Sequence, residues 1–189
     1  MSAKIPGRPT RSIRHQEYRP RDVVLNCQRN LRIPKRELEQ FLARARHALR
    51  LPAGSLSVAL VTNAAIAKWN HAYRHKAGPT DVLSFPAEAE PESGRRSIHR
   101  FKRGRSEDKA GRTRDYASDT GRPLFYFGDI AIAPAVARRN ARRFRRTFSQ
   151  EMRILILHGM LHLMGYDHET DTGQMERRER RLRRKLGLV

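Results

Sequence analysis

Three histidines stand close together near the end of the chain, at His158, His162 and His168. The first two are four residues apart, so on a helix they project from the same face one turn apart. The third follows Gly165, a residue that can end a helix in a left-handed turn. The spacing predicts three imidazoles at one point. Three nitrogen ligands with an open fourth position are typical of catalytic zinc, and we expect one Zn²⁺ per chain.

The segment around these histidines is apolar on nearly every side, which predicts a buried helix. In the alternative interpretation, His158 and His162 are core histidines bonded to backbone carbonyls. Burying imidazoles without partners would cost on the order of 2 kcal/mol or more each, and a metal removes that cost. The metal interpretation is therefore favoured.

Gly159 distinguishes this motif from the metzincin zinc proteases, which space their histidines in the same way. Those proteases carry a glutamate, their general base, directly after the first histidine. Glycine has no side chain to accept a proton, so peptide hydrolysis by that route is disfavoured. Zinc at the site would still lower the pKa of a bound water to about 7. We expect a metzincin-like zinc helix that lacks the peptidase base.

The charge of the chain indicates polyanionic partners. Its 189 residues include 40 Lys plus Arg against 19 Asp plus Glu, a formal net charge of +21. RNA, DNA and an anionic membrane surface would all attract such a chain, and a solubility adaptation is the alternative. A hydrolytic metal site and an excess of arginine, which suits bidentate phosphate contacts, favour nucleic acid.

Six arginines lie within nine residues after Pro134, in a segment without an acidic residue. They predict a helix that binds the RNA backbone, whereas a solvated helix face is the alternative. The candidate RNA-binding residues are Arg138, Arg139, Arg142, Arg143, Arg145 and Arg146.

Cys27 is the one cysteine, so no intramolecular disulfide can form, and its apolar neighbours predict a core residue. The basic start of the chain lacks the apolar core of a signal peptide. No segment has the roughly 18 continuous apolar residues of a membrane span. We expect a cytoplasmic protein without a membrane partner.

Apolar periodicity predicts an α+β fold, a small mixed sheet of about four strands with packed helices. The predicted strands are 23–27, 55–61, 80–85 and 124–133. Helices are predicted after Pro34, over 64–75 with Asn63 as the N-cap, after Pro134, over about 150–164, and over about 172–185. The metzincin spacing suggests a cleft between the zinc helix and a sheet edge.

One domain is expected over residues 22–189. Residues 1–21 are basic and contain three prolines and few large apolar side chains, which predicts a disordered tail. Residues 87–122 are rich in charge, glycine and serine, which predicts a disordered insertion between two strands. The insertion could contact RNA weakly or be merely tolerated.

The segment from His158 to His168 resembles the signature of the YbeY family of bacterial endoribonucleases. Residues 70–76 and 79–86 resemble the family's second block, and residues 127–132 resemble its third. The likeness covers about residues 23–86 and 124–186. The basic tail and the insertion depart from the family pattern and lie outside the motif.

The resemblance implies a single-strand-specific, zinc-dependent endoribonuclease that acts in 3′-end maturation of 16S rRNA and in ribosome quality control. It implies that the three histidines ligate zinc, and it assigns a catalytic role to Arg74 and His158. The implied partners are RNA of the small ribosomal subunit and a ribosomal protein or assembly factor.

Several roles near the motif stay open. Arg74 could stabilise charge on a phosphate, which is favoured, or bond the last carbonyls of its helix. Asp167 could orient a histidine, act as a base or cap a turn. Asp129 has the same ambiguity, because an aspartate after glycine can belong to a β-bulge. The sequence identifies no general base.

Two other functions compete with the nuclease. An RNA-binding assembly factor with a structural zinc fits the charge of +21 equally well, and only turnover of RNA separates it from a nuclease. A zinc peptidase is the other alternative, and Gly159 disfavours it.

Overall fold

The structure is a computed structural model of the chain, and it describes residues 22–52, 54–87 and 125–189. The predicted tail, and the predicted insertion apart from Ala87, lie outside the described residues. The described elements are β1 (Val23–Asn26), α1 (Lys35–Leu49), β2 (Gly54–Leu60), α2 (Asn63–Arg74), β3 (Val82–Pro86), β4 (Phe125–Ile132), α3 (Pro134–Arg143), α4 (Phe148–Leu163) and α5 (Gln174–Lys185).

The strands form one mixed sheet in the order β1-β2-β4-β3. Strands β1, β2 and β4 run parallel to one another, and β3 is antiparallel to β4. The predicted α+β fold, with about four strands and packed helices, is confirmed. The cleft between α4 and a sheet edge stays a prediction; edge strand β3 does contact α4, because the Ser84 hydroxyl donates to the Gly159 carbonyl at 3.3 Å.

The larger core lies on one face of the sheet, beneath α1, α4 and α5. Alternate residues of β2 enter it, namely Leu56, Val58 and Leu60, all at most 1% exposed. A smaller cluster around Ile66 lies under α2 on the opposite face. Because α4 lies in the larger core, it is apolar on nearly every side. Among the residues that the structure describes, no helix has the length and apolar character needed to cross a membrane.

Two local predictions were wrong. Thr62, not Asn63, caps α2, because its hydroxyl accepts the Ala65 N–H at 3.2 Å and the helix starts one residue earlier. Cys27 is exposed rather than in the core. It follows Val23 and Leu25 at two-residue intervals, and those side chains face outward from β1 while Val24 faces inward.

Candidate metal centre

Helix α4 positions two of the three histidines. It begins with a capping box in which Thr147 and Gln150 exchange hydrogen bonds, and it carries His158 and His162 in its C-terminal half. The helix ends at Leu163, and Gly165 just beyond it adopts the predicted left-handed conformation, with φ of 80°. The Gly165 N–H donates to the His162 carbonyl at 2.8 Å, and the Tyr166 N–H to the Leu161 carbonyl at 3.1 Å. This Schellman motif turns the chain back towards the helix, so that the third histidine reaches the first two.

The structure brings His158, His162 and His168 together. Their ring centroids are 4.7, 5.4 and 5.3 Å apart, an almost equilateral triangle. Each ring offers one nitrogen within 4.8 Å of the nitrogens of the other two. The Nε2 atoms of His158 and His162 are 3.1 Å apart. The three lone pairs can therefore converge on one ion.

The donor set fits zinc. Zn–N bonds of about 2.0–2.1 Å in a tetrahedron require nitrogens roughly 3.3 Å apart, close to the separation of the two Nε2 atoms. Within the described part of the chain, no cysteine or carboxylate joins the group. The described residues thus provide three imidazole ligands rather than a closed four-ligand set.

The protonation state of His162 also suits a metal. Burial lowers the pKa of His162, and the neighbouring His158 and His168 lower it further, to about 4. The imidazole is therefore neutral at physiological pH. A neutral ring keeps the lone pair that a metal needs.

Glu179 of α5 is a member of the site that sequence reasoning missed. Its Oε2 lies 3.2 Å from Nδ1 of His158, and its Oε1 accepts from Arg183 at 2.7 Å. Burial alone would raise the pKa of Glu179, but its contacts with His158 and Arg183 hold it below the usual range. Helical spacing was the available signal, because Met175, Glu179 and Leu182 fall on one stripe and a carboxylate in an apolar stripe needs a partner.

Arg74 lies at the exposed end of α2. Its guanidinium donates to a carboxylate oxygen of Glu169 at 2.6 Å, and Lys76 approaches the same oxygen at 3.5 Å. Glu169 directly follows His168, so Arg74 borders the loop that carries the third histidine. Its described hydrogen bond goes to this loop and not to the last carbonyls of α2.

Asp167 caps the turn after α4. It accepts from the Glu169 N–H at 3.0 Å and from the Thr170 hydroxyl at 3.2 Å. The Glu169 N–H is the main cause that lowers the pKa of Asp167, although its slight burial acts in the opposite direction. Among the described contacts, the carboxylate that reaches a histidine belongs to Glu179 instead.

Asp129 follows a β-bulge, as the alternative interpretation held. The register between β2 and β4 shifts where Ser55 pairs with Tyr126 and Leu56 with Gly128. At Gly128 φ is 125°, and a Cβ atom would lie 2.2 Å from the Phe85 carbonyl oxygen, so a side chain is excluded. The exposed Asp129 carboxylate accepts the Tyr126 hydroxyl at 2.5 Å.

The six arginines after Pro134 do not all have the same environment. Arg146 is half-buried and donates to Glu151 at 2.9 Å; the Glu151 side chain is only 4% exposed. The arginine run therefore has an acidic partner in the following helix α4, and Arg146 supports the α3–α4 junction. The others are exposed: Arg138, Arg139, Arg142, Arg143 and Arg145.

Arg138 and Arg146 lie at the opposite end of α4 from His162, and Arg138 lies over the ring of Phe148. Arg146 precedes the first residue of this helix, Phe148, whereas His162 is its second-last residue. His162 is the fourteenth residue after Phe148, which corresponds to roughly 21 Å along the helix axis.

Gly159, next to the first histidine, faces the sheet. A Cβ atom there would lie 2.7 Å from Cγ2 of Ile130, closer than side chains tolerate. A glutamate at this position would collide with β4, so close packing of α4 on the sheet explains why the position is glycine.

Comparisons with known proteins agree with these features. A family model described as "Endoribonuclease YbeY" matches residues 24–187. The chain is similar to proteins named Endoribonuclease YbeY from Nautilia profundicola (35% identical over 70% of this chain and 73% of the relative) and Koribacter versatilis (34% over 82% and 80%). A third, from a Sulfurovum strain, is 31% identical over 88% of this chain and 91% of its own.

A solution structure from Thermotoga maritima matches with a TM-score of 0.50 and 22% identity, over 87% of this chain and 88% of that one. This likeness concerns the fold alone. The family match spans nearly all of the described domain, including the three histidines, Arg74 and Asp129. The chain belongs to the YbeY endoribonuclease family.

Proposed function

We propose that this chain is a zinc-dependent endoribonuclease that cleaves single-stranded RNA in 3′-end maturation of 16S rRNA and in ribosome quality control. The observation that carries the proposal is the triangle of imidazole nitrogens in a member of an endoribonuclease family. The names of the relatives support RNA cleavage, and the histidine geometry supports the metal.

The residues around the triangle have separate roles in this proposal. His158, His162 and His168 would hold zinc, which when bound would activate water and polarise the scissile phosphate. Arg74 would donate to the non-bridging phosphate oxygens and stabilise the charge that develops during cleavage. Because its guanidinium is paired with Glu169, a phosphate would compete with that carboxylate.

The exposed arginines of α3 support binding of the RNA backbone over a distance. Arg138 lies over the ring of Phe148 at the start of α4, roughly 21 Å of helix away from His162. An RNA strand that contacts both this arginine and the histidine triangle must therefore span several nucleotides. A ribosomal protein or assembly factor as partner, and a cytoplasmic location, also belong to the proposal.

An RNA-binding assembly factor with a structural zinc is the second candidate. The charge of +21 favours it as much as it favours the nuclease. A peptidase has no comparable support, because the position of the peptidase base is a glycine packed on Ile130.

The test is cleavage of a single-stranded 16S rRNA fragment by the purified protein, beside His162→Ala and His47→Ala. His47 is an exposed histidine of α1 outside the triangle, so its variant controls for the loss of a histidine as such, and identically prepared His162→Ala controls for contaminating ribonuclease. We expect cleavage by the native protein and His47→Ala, and none by His162→Ala or after chelation. Tight RNA binding without turnover in the native protein would instead support the assembly factor.

A further inference from the structure

Helix α5 carries one carboxylate on its buried side. Glu179 is 8% exposed, between Met175 at 1% and Leu182 at 6%, and both of these side chains belong to the main core. Glu176, one turn earlier, is exposed over 74% of its side chain. Each glutamate bonds an arginine four residues later, Glu176 with Arg180 at 2.8 Å and Glu179 with Arg183 at 2.7 Å. The two pairs differ in burial and in what else the carboxylate contacts.

Of the two glutamates, only Glu179 contacts the triangle of His158, His162 and His168. Its Oε2 lies 3.2 Å from Nδ1 of His158, while Nε2 of the same ring lies 3.1 Å from Nε2 of His162. A carboxylate only accepts hydrogen bonds, so Nδ1 must carry the proton. The lone pair of His158 is then on Nε2, directed into the triangle.

Arg183 offsets the free-energy cost of burying the Glu179 carboxylate. A carboxylate removed from water is costly unless it is paired and fully hydrogen-bonded. Arg183 occupies Oε1 and leaves Oε2 for His158. The backbone of Glu179 is fixed in turn, because Met175 and Leu182 anchor α5 in the core.

We propose that Glu179 is the positioning residue of the metal centre: held by Arg183, it fixes the tautomer and orientation of His158 and so links docking of α5 to metal affinity. This inference rests on the proposed zinc site. Outer carboxylates that orient a metal-bound histidine typically account for 10–100-fold in metal affinity.

The test is the zinc dissociation constant of the full chain, measured by competition with a chromophoric chelator. We expect Glu179→Gln to weaken zinc binding by about 10–100-fold. Glu176→Gln is the matched control, because it removes the same charge and an equivalent i,i+4 pair from the same helix. We expect its zinc affinity to equal that of the native protein.

A second measurement needs no variant. Nitrogen-15 NMR of the metal-free native protein, at a pH at which imidazoles are neutral, should show His158 protonated on Nδ1. A ring protonated on Nε2, or zinc affinities that are equal for Glu179→Gln and Glu176→Gln, would overturn the proposal. Failure of the zinc site itself is recognised separately, because His162→Ala would then bind zinc like the native protein.

Discussion

The proposed role of Arg74 is compatible with its ordinary surface environment. In the structure it is paired with Glu169 at the surface, 35% and 54% exposed. Exposed ion pairs of this kind contribute only about 0.2–1 kcal/mol, so a phosphate can displace the carboxylate. The pair therefore holds the guanidinium beside the His168 loop without blocking it.

Replacing Glu169 should strengthen RNA binding. Glu169→Gln removes the competitor for Arg74, and we expect affinity for a short single-stranded RNA to rise by about 1.5–5-fold, the range that such a pair permits. Fluorescence anisotropy measures it. Glu176→Gln makes the same change of charge on α5, where the carboxylate pairs with Arg180 instead of Arg74. Equal affinities of the two variants would show that Glu169 does not restrain Arg74.

His162 should give the metal-free protein a characteristic pH dependence. Burial, followed by His158 and His168, lowers the pKa of His162 from 6.5 to about 4. Between these values the unfolded chain binds the proton and the folded chain does not, so the free energy of unfolding should rise as pH increases from 4 to 6.5. Urea titrations of chelator-treated protein measure the slope. His162→Gln should flatten it, and an unchanged slope would contradict the shift.

At the level of elements, the close approach of α4 to β4 fixes which residue can stand next to His158. Gly159 lets the helix lie against Ile130, and the same position is where a metzincin carries its base. The close packing therefore leaves no room for the side chain that a metzincin uses as its base. At the other end of α4, the buried Glu151 holds Arg146 and fixes the turn from α3.

Gly159→Ala should destabilise the protein. Overpacking costs about 1–3 kcal/mol, against about 1 kcal/mol gained from helix propensity. We expect a lower denaturation midpoint in urea. The loss should shrink when Ile130→Ala is also present, because that change removes the methyl groups that a Cβ would meet. An equal loss in both backgrounds would locate the strain elsewhere.

The whole molecule combines a strong net positive charge with a small cluster of three histidines. The charge of +21 acts over distance and does not depend on the fold, whereas the triangle depends on contacts between α4, its following loop and α5. Attraction of RNA and its positioning for cleavage are therefore separable properties.

The salt dependence of RNA binding should show which arginines contact phosphates. The logarithm of RNA affinity should fall linearly with the logarithm of salt concentration, by about 0.7 for each phosphate contacted. Arg142→Ala should reduce that slope by roughly one contact and leave stability unchanged, because Arg142 is exposed. Arg146→Ala is the comparison. It should lower the free energy of unfolding, because it leaves the buried Glu151 carboxylate without its arginine partner. Equal effects of both variants on slope and stability would refute this division.

Much of this protein is determined by local sequence. The spacing of His158 and His162 on a helix and the glycine turn at Gly165 bring two imidazoles onto one face and return the chain for the third. Apolar periodicity similarly predicts the four strands of the sheet and their packed helices. These features rest on interactions within a few residues, where spacing fixes geometry.

Tertiary structure alone decided the remaining contacts. Glu179 reaches His158 across 21 residues, Arg74 reaches Glu169 across 95, and Gly159 meets Ile130 only because α4 packs on β4. Cys27 is exposed because β1 turns that side of the strand away from the core. Such contacts depend on which faces of distant elements meet, and the residue spacing of a single segment does not contain that information.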